Sequence, residues 1–246
     1  MALFLRANRS PKCGKWFPVA EFDTYASNYD EALNRGLALS GESKEFFAAG
    51  RVKWLRKRLA ALHCTPSNCL DFGCGTGTSA AFLRDGLKIA SYSGFDPSAE
   101  SISQAVQQNT WSAARFTSDQ RSLEIGGFDL AFCNGVFHHI DPDQREQATG
   151  LVWRSLKPGG VFAFWENNRW NPAVHYAMSR VPFDRDAQML FPSQARALLR
   201  KAGFSVLGTD YCFVFPGALR SLRFLEPALC KLPLGGQYLV LARKDG

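Results

Sequence analysis

The sequence predicts an α/β fold, a parallel sheet with helices on both faces. Three observations carry this. Beyond Pro66, short apolar runs alternate with helical windows, the pattern of βαβ units. The first run, Asn68–Phe72, passes directly into a glycine turn, Gly73-Cys74-Gly75-Thr76-Gly77, and then into a helix. The second run ends on an acid, Asp96, followed by Pro97.

The elements follow in order. Residues 1–20 mix Arg, Lys, Pro and Gly without periodicity and read as an irregular lead-in. From Ser40 a helix is expected: Phe47, Val52, Leu55, Leu59 and Leu62 keep 3–4 spacing after an initial gap of five. Its other face holds Arg51, Lys53, Arg56, Lys57 and Arg58, and reads as a solvated face. After the first strand come a helix over 78–85, a strand over 90–95 and a helix over 98–108. A short third strand, Ala114–Thr117, and a fourth over 128–133 follow. Asp141 is expected to cap the next helix, with Pro142 in its first position and Gln144 closing a capping box. Lys157-Pro158-Gly159-Gly160 should stop that helix near Leu156. A fifth strand over 161–166, a helix over 194–202 and strands over 204–215 and 237–243 complete the chain. There is no internal repeat, and no linker divides 66–246.

Composition excludes several classes. Of 246 residues, AVILMFWYC make up 46% and charged residues 21%, which is ordinary for a globular protein. Twenty Phe and six Trp supply more apolar area than disordered chains carry. The net charge of +7 has two readings, an anionic partner or a plain basic protein. Seven cysteines without a C-x-x-C pair support neither a disulfide framework nor a thiolate zinc site. They read as reduced thiols, most of them buried, of a cytoplasmic protein. No stretch approaches the ~20 apolar residues of a membrane span, and the first ten residues carry too short an apolar run for a secretory signal. The chain is expected to be soluble, at most lying on a membrane surface.

The glycine turn carries the chemistry. Glycine lets the backbone turn sharply and lets a ligand approach with no Cβ in the way. Asp96 lies 21 residues past Gly75, where a carboxylate accepts hydrogen bonds from both hydroxyls of a ribose. The spacing G-x-G-x-G departs from the dinucleotide fingerprint G-x-G-x-x-G. Asp71 precedes it at the strand end. That acid would repel a pyrophosphate and favour a ligand amino group. The combination points to S-adenosylmethionine (SAM).

These segments, with Phe22-Asp23-x-x-Ala26-x-x-Tyr29-Asp30, Phe128-Asp129-Leu130, His138-His139-Ile140 and Leu156-Lys157-Pro158-Gly159-Gly160, resemble the class I SAM-dependent methyltransferases. The resemblance covers roughly 22–243. It implies a Rossmann-like seven-stranded sheet of order 3-2-1-4-5-7-6 with strand 7 antiparallel. It implies that Asp71, Gly73, Cys74 and Gly75 meet the methionine end of SAM. Asp96, followed by Pro97, would hold the ribose, and Asp119 the adenine amino group. Cys133 and Asn134 would lie under the methionine, and Arg51 would pair with its carboxylate. Residues 1–65 would form a lead-in and helix covering the cofactor site. Residues 66–246 would form the methyltransferase domain, with a substrate-lid insertion at about 169–200.

Methyl transfer mainly requires alignment of nucleophile, methyl and sulfur, and a hydroxyl nucleophile gains from a general base. The candidate bases are His139, His138 and Glu166 at the pocket rim, each with a local packing or hydrogen-bonding role as the alternative. His175 would lie over the pocket, His63 would be structural, and Tyr25 and Tyr29 would close over SAM. The acceptor is expected to sit among Phe137, His138, His139, Glu166, Trp170, His175, Tyr176 and Met178. Quinone-pathway enzymes that use a divalent metal carry acid-x-x-acid-His after the fourth strand. Gly135-Val136-Phe137-His138-His139 lacks both acids, so no metal site is expected and no ligand cluster is seen. The resulting reading is metal-free, in-line methyl transfer to a small, partly hydrophobic acceptor, lipid-like or aromatic, at oxygen. The alternatives are an RNA methyltransferase, supported by +7 and residues 51–58, and a non-catalytic SAM-fold binding protein.

Overall fold

In the computed structural model, residues 36–184 and 187–246 are described. Tyr25, Tyr29 and the 22–30 motif lie outside the described residues. The chain forms helix α1 (Lys44–Ala61), then β1 (Asn68–Phe72), α2 (Ser79–Leu87), β2 (Ser91–Phe95), α3 (Ala99–Gln108), β3 (Ala114–Thr117) and β4 (Phe128–Asn134). It continues through α4 (Arg145–Ser155), β5 (Leu156–Asn167), α5 (Pro172–Ser179), α6 (Pro192–Lys201), β6 (Phe204–Cys212), the short α7 (Glu226–Leu229) and β7 (Gln237–Lys244). The sheet order is β3-β2-β1-β4-β5-β7-β6. The pairs through β5 are parallel, and β7 runs antiparallel to both β5 and β6.

The periodicity explains why the helices sit where they do. Ser43 caps α1 by accepting the Phe46 N–H, and the stripe Ala48, Val52, Leu55 and Leu59 is buried. Val52, Leu55 and Leu59 of that stripe pack with Ala80 and Leu83 of α2 on one face of the sheet. Ala148 and Val152 of α4 and Ala195 and Leu199 of α6 pack on the other. Full burial of one such leucine contributes about 1.5–3 kcal/mol. The inner strand β5 is buried continuously from Val161 to Glu166, as expected of a strand covered on both faces. Among the described cysteines, Cys69, Cys74, Cys133 and Cys212 are buried, and Cys64 and Cys230 half-buried.

Three expectations are corrected. Asp141 makes no side-chain cap. A 3-10 turn, Pro142–Gln144, is closed instead by the Gln144 N–H donating to the Asp141 carbonyl, and α4 begins only at Arg145. Lys157-Pro158-Gly159-Gly160 does follow the helix, but it lies inside β5 as an excursion. Leu156 pairs with Phe128, and Val161 already pairs with Leu130. Strand β6 ends at Cys212 because Phe213 takes a φ of 63°. Among the described residues, no helix is long and apolar enough to cross a membrane.

Candidate active site

Register places the chemistry at one edge. Phe72 pairs with Phe95, and Asp71 pairs with both Gly94 and Phe132. The carboxyl ends of β1, β2 and β4 therefore stop together, where ligands of such sheets bind. Gly73 turns the chain at φ +77°, and a Cβ there would strike Val136 at 2.3 Å. Gly75 has φ +52° and no atom within 4 Å of a built Cβ, so the loop leaves open space above it. The Gly73 and Cys74 N–H groups donate to the Phe95 carbonyl. Asp96 is fixed against the loop: its carboxylate accepts the Gly75 N–H at 2.9 Å and the Ser98 N–H at 3.0 Å.

Asp71 is buried beneath the loop and accepts the Tyr92 hydroxyl at 2.7 Å. Burial lifts its carboxyl to about 7; the Tyr92 bond and the Arg51 charge oppose this, while the Asp96 charge adds to it. Arg51 donates to the Gln237 side chain at 2.9 Å and lines the neighbouring cavity. Asp119, exposed at the end of β3, accepts the Arg121 N–H and caps a 3-10 turn. Cys133 is buried inside β4, and Asn134 at its end reaches the cavity.

That cavity, about 370 Å³, lies over the ends of β4 and β5. Phe46, Phe47 and Phe213 pack edge to face along its wall. Its floor is polar: His138, His139 and Asp184. Behind the floor, Glu166 is fully buried and accepts the Phe137 N–H at 2.8 Å and the His138 Nδ1–H at 2.6 Å. Asp184 Oδ1 lies 3.7 Å from His138 Nε2 and 3.3 Å from His139 Nε2. Burial opposes charge on His138, but Glu166 and Asp184 override it and lift the imidazole to about 10. Burial and the His138 charge lower His139, so it stays neutral. Burial would raise Asp184, but the His138 and His139 imidazoles facing it hold it at about 2.

The sequence reading is corrected in several places. Glu166 is not at the rim but beneath His138, spent on orienting it. Phe137 is core, Trp170 and Tyr176 face outward, and His175 is exposed with Nε2 on the Arg169 carbonyl. None of these four lines the cavity; Met178 does. No ligand cluster was expected, yet His138, His139 and Asp184 bring ligand atoms within 4.8 Å of one another, close enough to hold a metal ion. Asp184, Phe46 and Phe213 were missed as site residues. Arg51 of the basic face turns into the cavity and Arg58 pairs with the buried Asp210, while Lys53, Arg56 and Lys57 are exposed.

Comparison with known proteins meets this geometry. A family described as Methyltransferase domain matches residues 70–162. The trans-aconitate 2-methyltransferase of Azoarcus sp. is 31% identical over 55% of this chain and 53% of its own length. The tRNA N(3)-methylcytidine methyltransferase of Schizosaccharomyces pombe is 28% identical over 63% of this chain and 55% of its own. The chain thus spans about half the length of these curated relatives. Among solved structures, the N-methyltransferase NodS of Bradyrhizobium japonicum, in complex with S-adenosyl-L-homocysteine, superposes with a TM-score of 0.55 at 18% identity. That match covers 79% of this chain and 86% of that one.

Proposed function

We propose that this chain, which belongs to the class I SAM-dependent methyltransferase superfamily, transfers a methyl group from SAM to an oxygen of a small, partly hydrophobic acceptor. Transfer is in-line and needs no metal. The donor set fits SAM. The open space above Gly75 admits a ligand, and the Asp96 carboxylate is held beside it by the Gly75 and Ser98 N–H groups. The buried Asp71 acid near the Arg51 guanidinium matches the ammonium and carboxylate of an amino acid. Asp71, Gly73, Cys74 and Gly75 would hold the methionine end, with Arg51 on its carboxylate. Cys133 and Asn134 would floor it, Asp96 and Pro97 would hold the ribose, and Asp119 the adenine. SAM supplies a methyl carbon already activated by a positively charged sulfur.

One observation supports the rest of the reading: a charged triad, Glu166–His138–Asp184, closes the polar floor of a cavity whose other side reaches Asn134 and Arg51. His138 keeps its proton between two carboxylates. Burial and the His138 charge keep His139 neutral, and Asp184 beside His139 Nε2 favours the tautomer with the proton on that nitrogen. His139 Nδ1 then carries the lone pair that takes the acceptor's proton, and Asp184 stabilises the imidazolium formed. Phe46, Phe47 and Phe213 hold the apolar part of the acceptor. His139→Ala is expected to lower kcat on the order of 10²–10⁴-fold with SAM affinity intact. Unchanged turnover with every acceptor that the wild type methylates would remove the base from this mechanism. A polynucleotide acceptor is the second reading, favoured by the similarity to a tRNA methyltransferase.

A further inference from the structure

The surface around the cavity mouth is unusual in where its apolar side chains lie. Ten large apolar side chains are well exposed among the described residues, and eight fall in two segments. Trp170 and Tyr176 belong to the first, 167–182. Leu219, Leu222, Phe224, Leu225, Leu232 and Leu234 belong to the second, 213–236. The segments are sewn together. Asn168 Nδ2 donates to the Pro233 and Gly235 carbonyls at 3.0 and 2.8 Å, and Asn171 Nδ2 donates to the Leu234 carbonyl at 3.0 Å. Both segments contribute to the cavity, the first through Asn171 and Val174, the second through Phe215 and Pro216.

Charge follows the same pattern. The first segment contains Arg169 and Arg180 and no acid; the second contains Arg220, Arg223 and Lys231 against Glu226 alone. Glu226 is turned inward, accepting the Val214 and Phe215 N–H groups. Arg223 is paired with Glu42. Lys231 is paired with Asp210 but its side chain remains 60% exposed. Arg169, Arg180 and Arg220 are exposed. The 3-10 helix Gly217–Leu225 therefore shows leucine and phenylalanine to solvent with arginines between them.

We propose that this face docks on the surface of a bilayer containing anionic lipids. Leucine and phenylalanine flanked by arginine, with Trp and Tyr at the margin, is the composition of elements that lie in the headgroup region. A nucleic acid would leave the leucines facing water, and a folded monomer rarely leaves so large an apolar concentration without a partner. The mouth then opens toward the lipid, so a lipid-like acceptor reaches Phe46 and Phe213 without crossing water. That use rests on the transfer reading above; the docking itself does not.

The test is flotation of the full chain with phosphatidylcholine vesicles, with and without phosphatidylglycerol. Wild type is expected to float with the anionic vesicles only, more weakly at high salt. Leu222→Glu and Phe224→Glu should each weaken partitioning on the order of tenfold. Both side chains are exposed, so the melting temperature and SAM affinity should be unchanged. No flotation with anionic vesicles overturns the proposal. So does equal flotation of both variants, or a wild-type dimer in sedimentation that the same variants dissociate, since the patch would then be covered by a second copy. Loss of methyl transfer with flotation intact would count against the transfer reading alone.

Discussion

With Asp71 in the proposed ammonium site, binding and protonation meet at a single carboxyl. In the free protein, burial holds it at about 7, above its ordinary value of about 4. Between those values the folded state keeps a proton that the unfolded chain has lost, so stability falls as pH rises from about 4 to about 7. A ligand ammonium needs the ionised form. SAM affinity should therefore fall below about pH 7, approaching tenfold per unit, with proton release on binding. Calorimetry in buffers of different ionisation enthalpy reads both, and a flat profile with no proton release would remove Asp71 from the ammonium site. Asp71→Asn keeps an acceptor for the Tyr92 hydroxyl without the buried charge. It should raise the melting temperature of the ligand-free protein above pH 7 by several degrees while weakening SAM binding at least tenfold.

At the scale of elements, the 3-10 turn Pro182–Asp184 completes the floor of the cavity by bringing Asp184 to the two histidines. The resulting cluster resembles a metal site, and in the metal-free protein its carboxylates hold a proton on His138 in place of a cation. His138 holds that proton up to about 10, above its ordinary 6.5. Its ion pairs are thus complete below about 6.5 and lost as pH rises through about 10. EDTA is expected to leave turnover unchanged, and added zinc to inhibit more strongly as pH rises, because the metal must displace the proton. Loss of turnover in EDTA, restored by zinc or magnesium, would make the cluster a metal centre. Asp184→Asn should abolish zinc inhibition. The same cluster shows what the sequence could reveal. His138 and His139 stand just after a strand, and the strand pattern alone places them at the ligand edge. Asp184 sits 45 residues beyond His139 in a short turn without periodicity, so nothing local connects them. Glu166 ends a strand buried on both faces, where alternation no longer tells which side a residue faces. The Phe213 wall arises where a positive φ turns the chain out of β6, and periodicity does not report such a turn. By contrast, the helix over 98–108, found as α3, and the place of Asp96 just before it followed from local spacing because both lie within one βα unit.

Across the whole molecule, the net charge of +7 has to be placed before it can be interpreted. A polynucleotide-binding face needs several unpaired cations in one stripe around the site. The basic helix α1 does not keep its cations together. Arg51 lines the cavity, Arg58 is committed to Asp210, and only Lys53, Arg56 and Lys57 remain on the solvent side. The arginines nearest the mouth are instead mixed with exposed leucine and aromatic side chains, and in the cavity wall phenylalanines stand among Lys44, Arg51 and the Glu42-paired Arg223. The three solvated cations of α1 by themselves give a salt slope of only about −2 to −3 in log affinity against log salt. Transfer RNA is therefore expected to bind weakly in physiological salt and to leave methylation of a small apolar acceptor uninhibited. Filter binding over a salt series, with a competition assay beside it, tests this. A slope of about −6 or steeper, together with tRNA that accepts methyl groups from SAM, would replace the small-molecule acceptor with a polynucleotide.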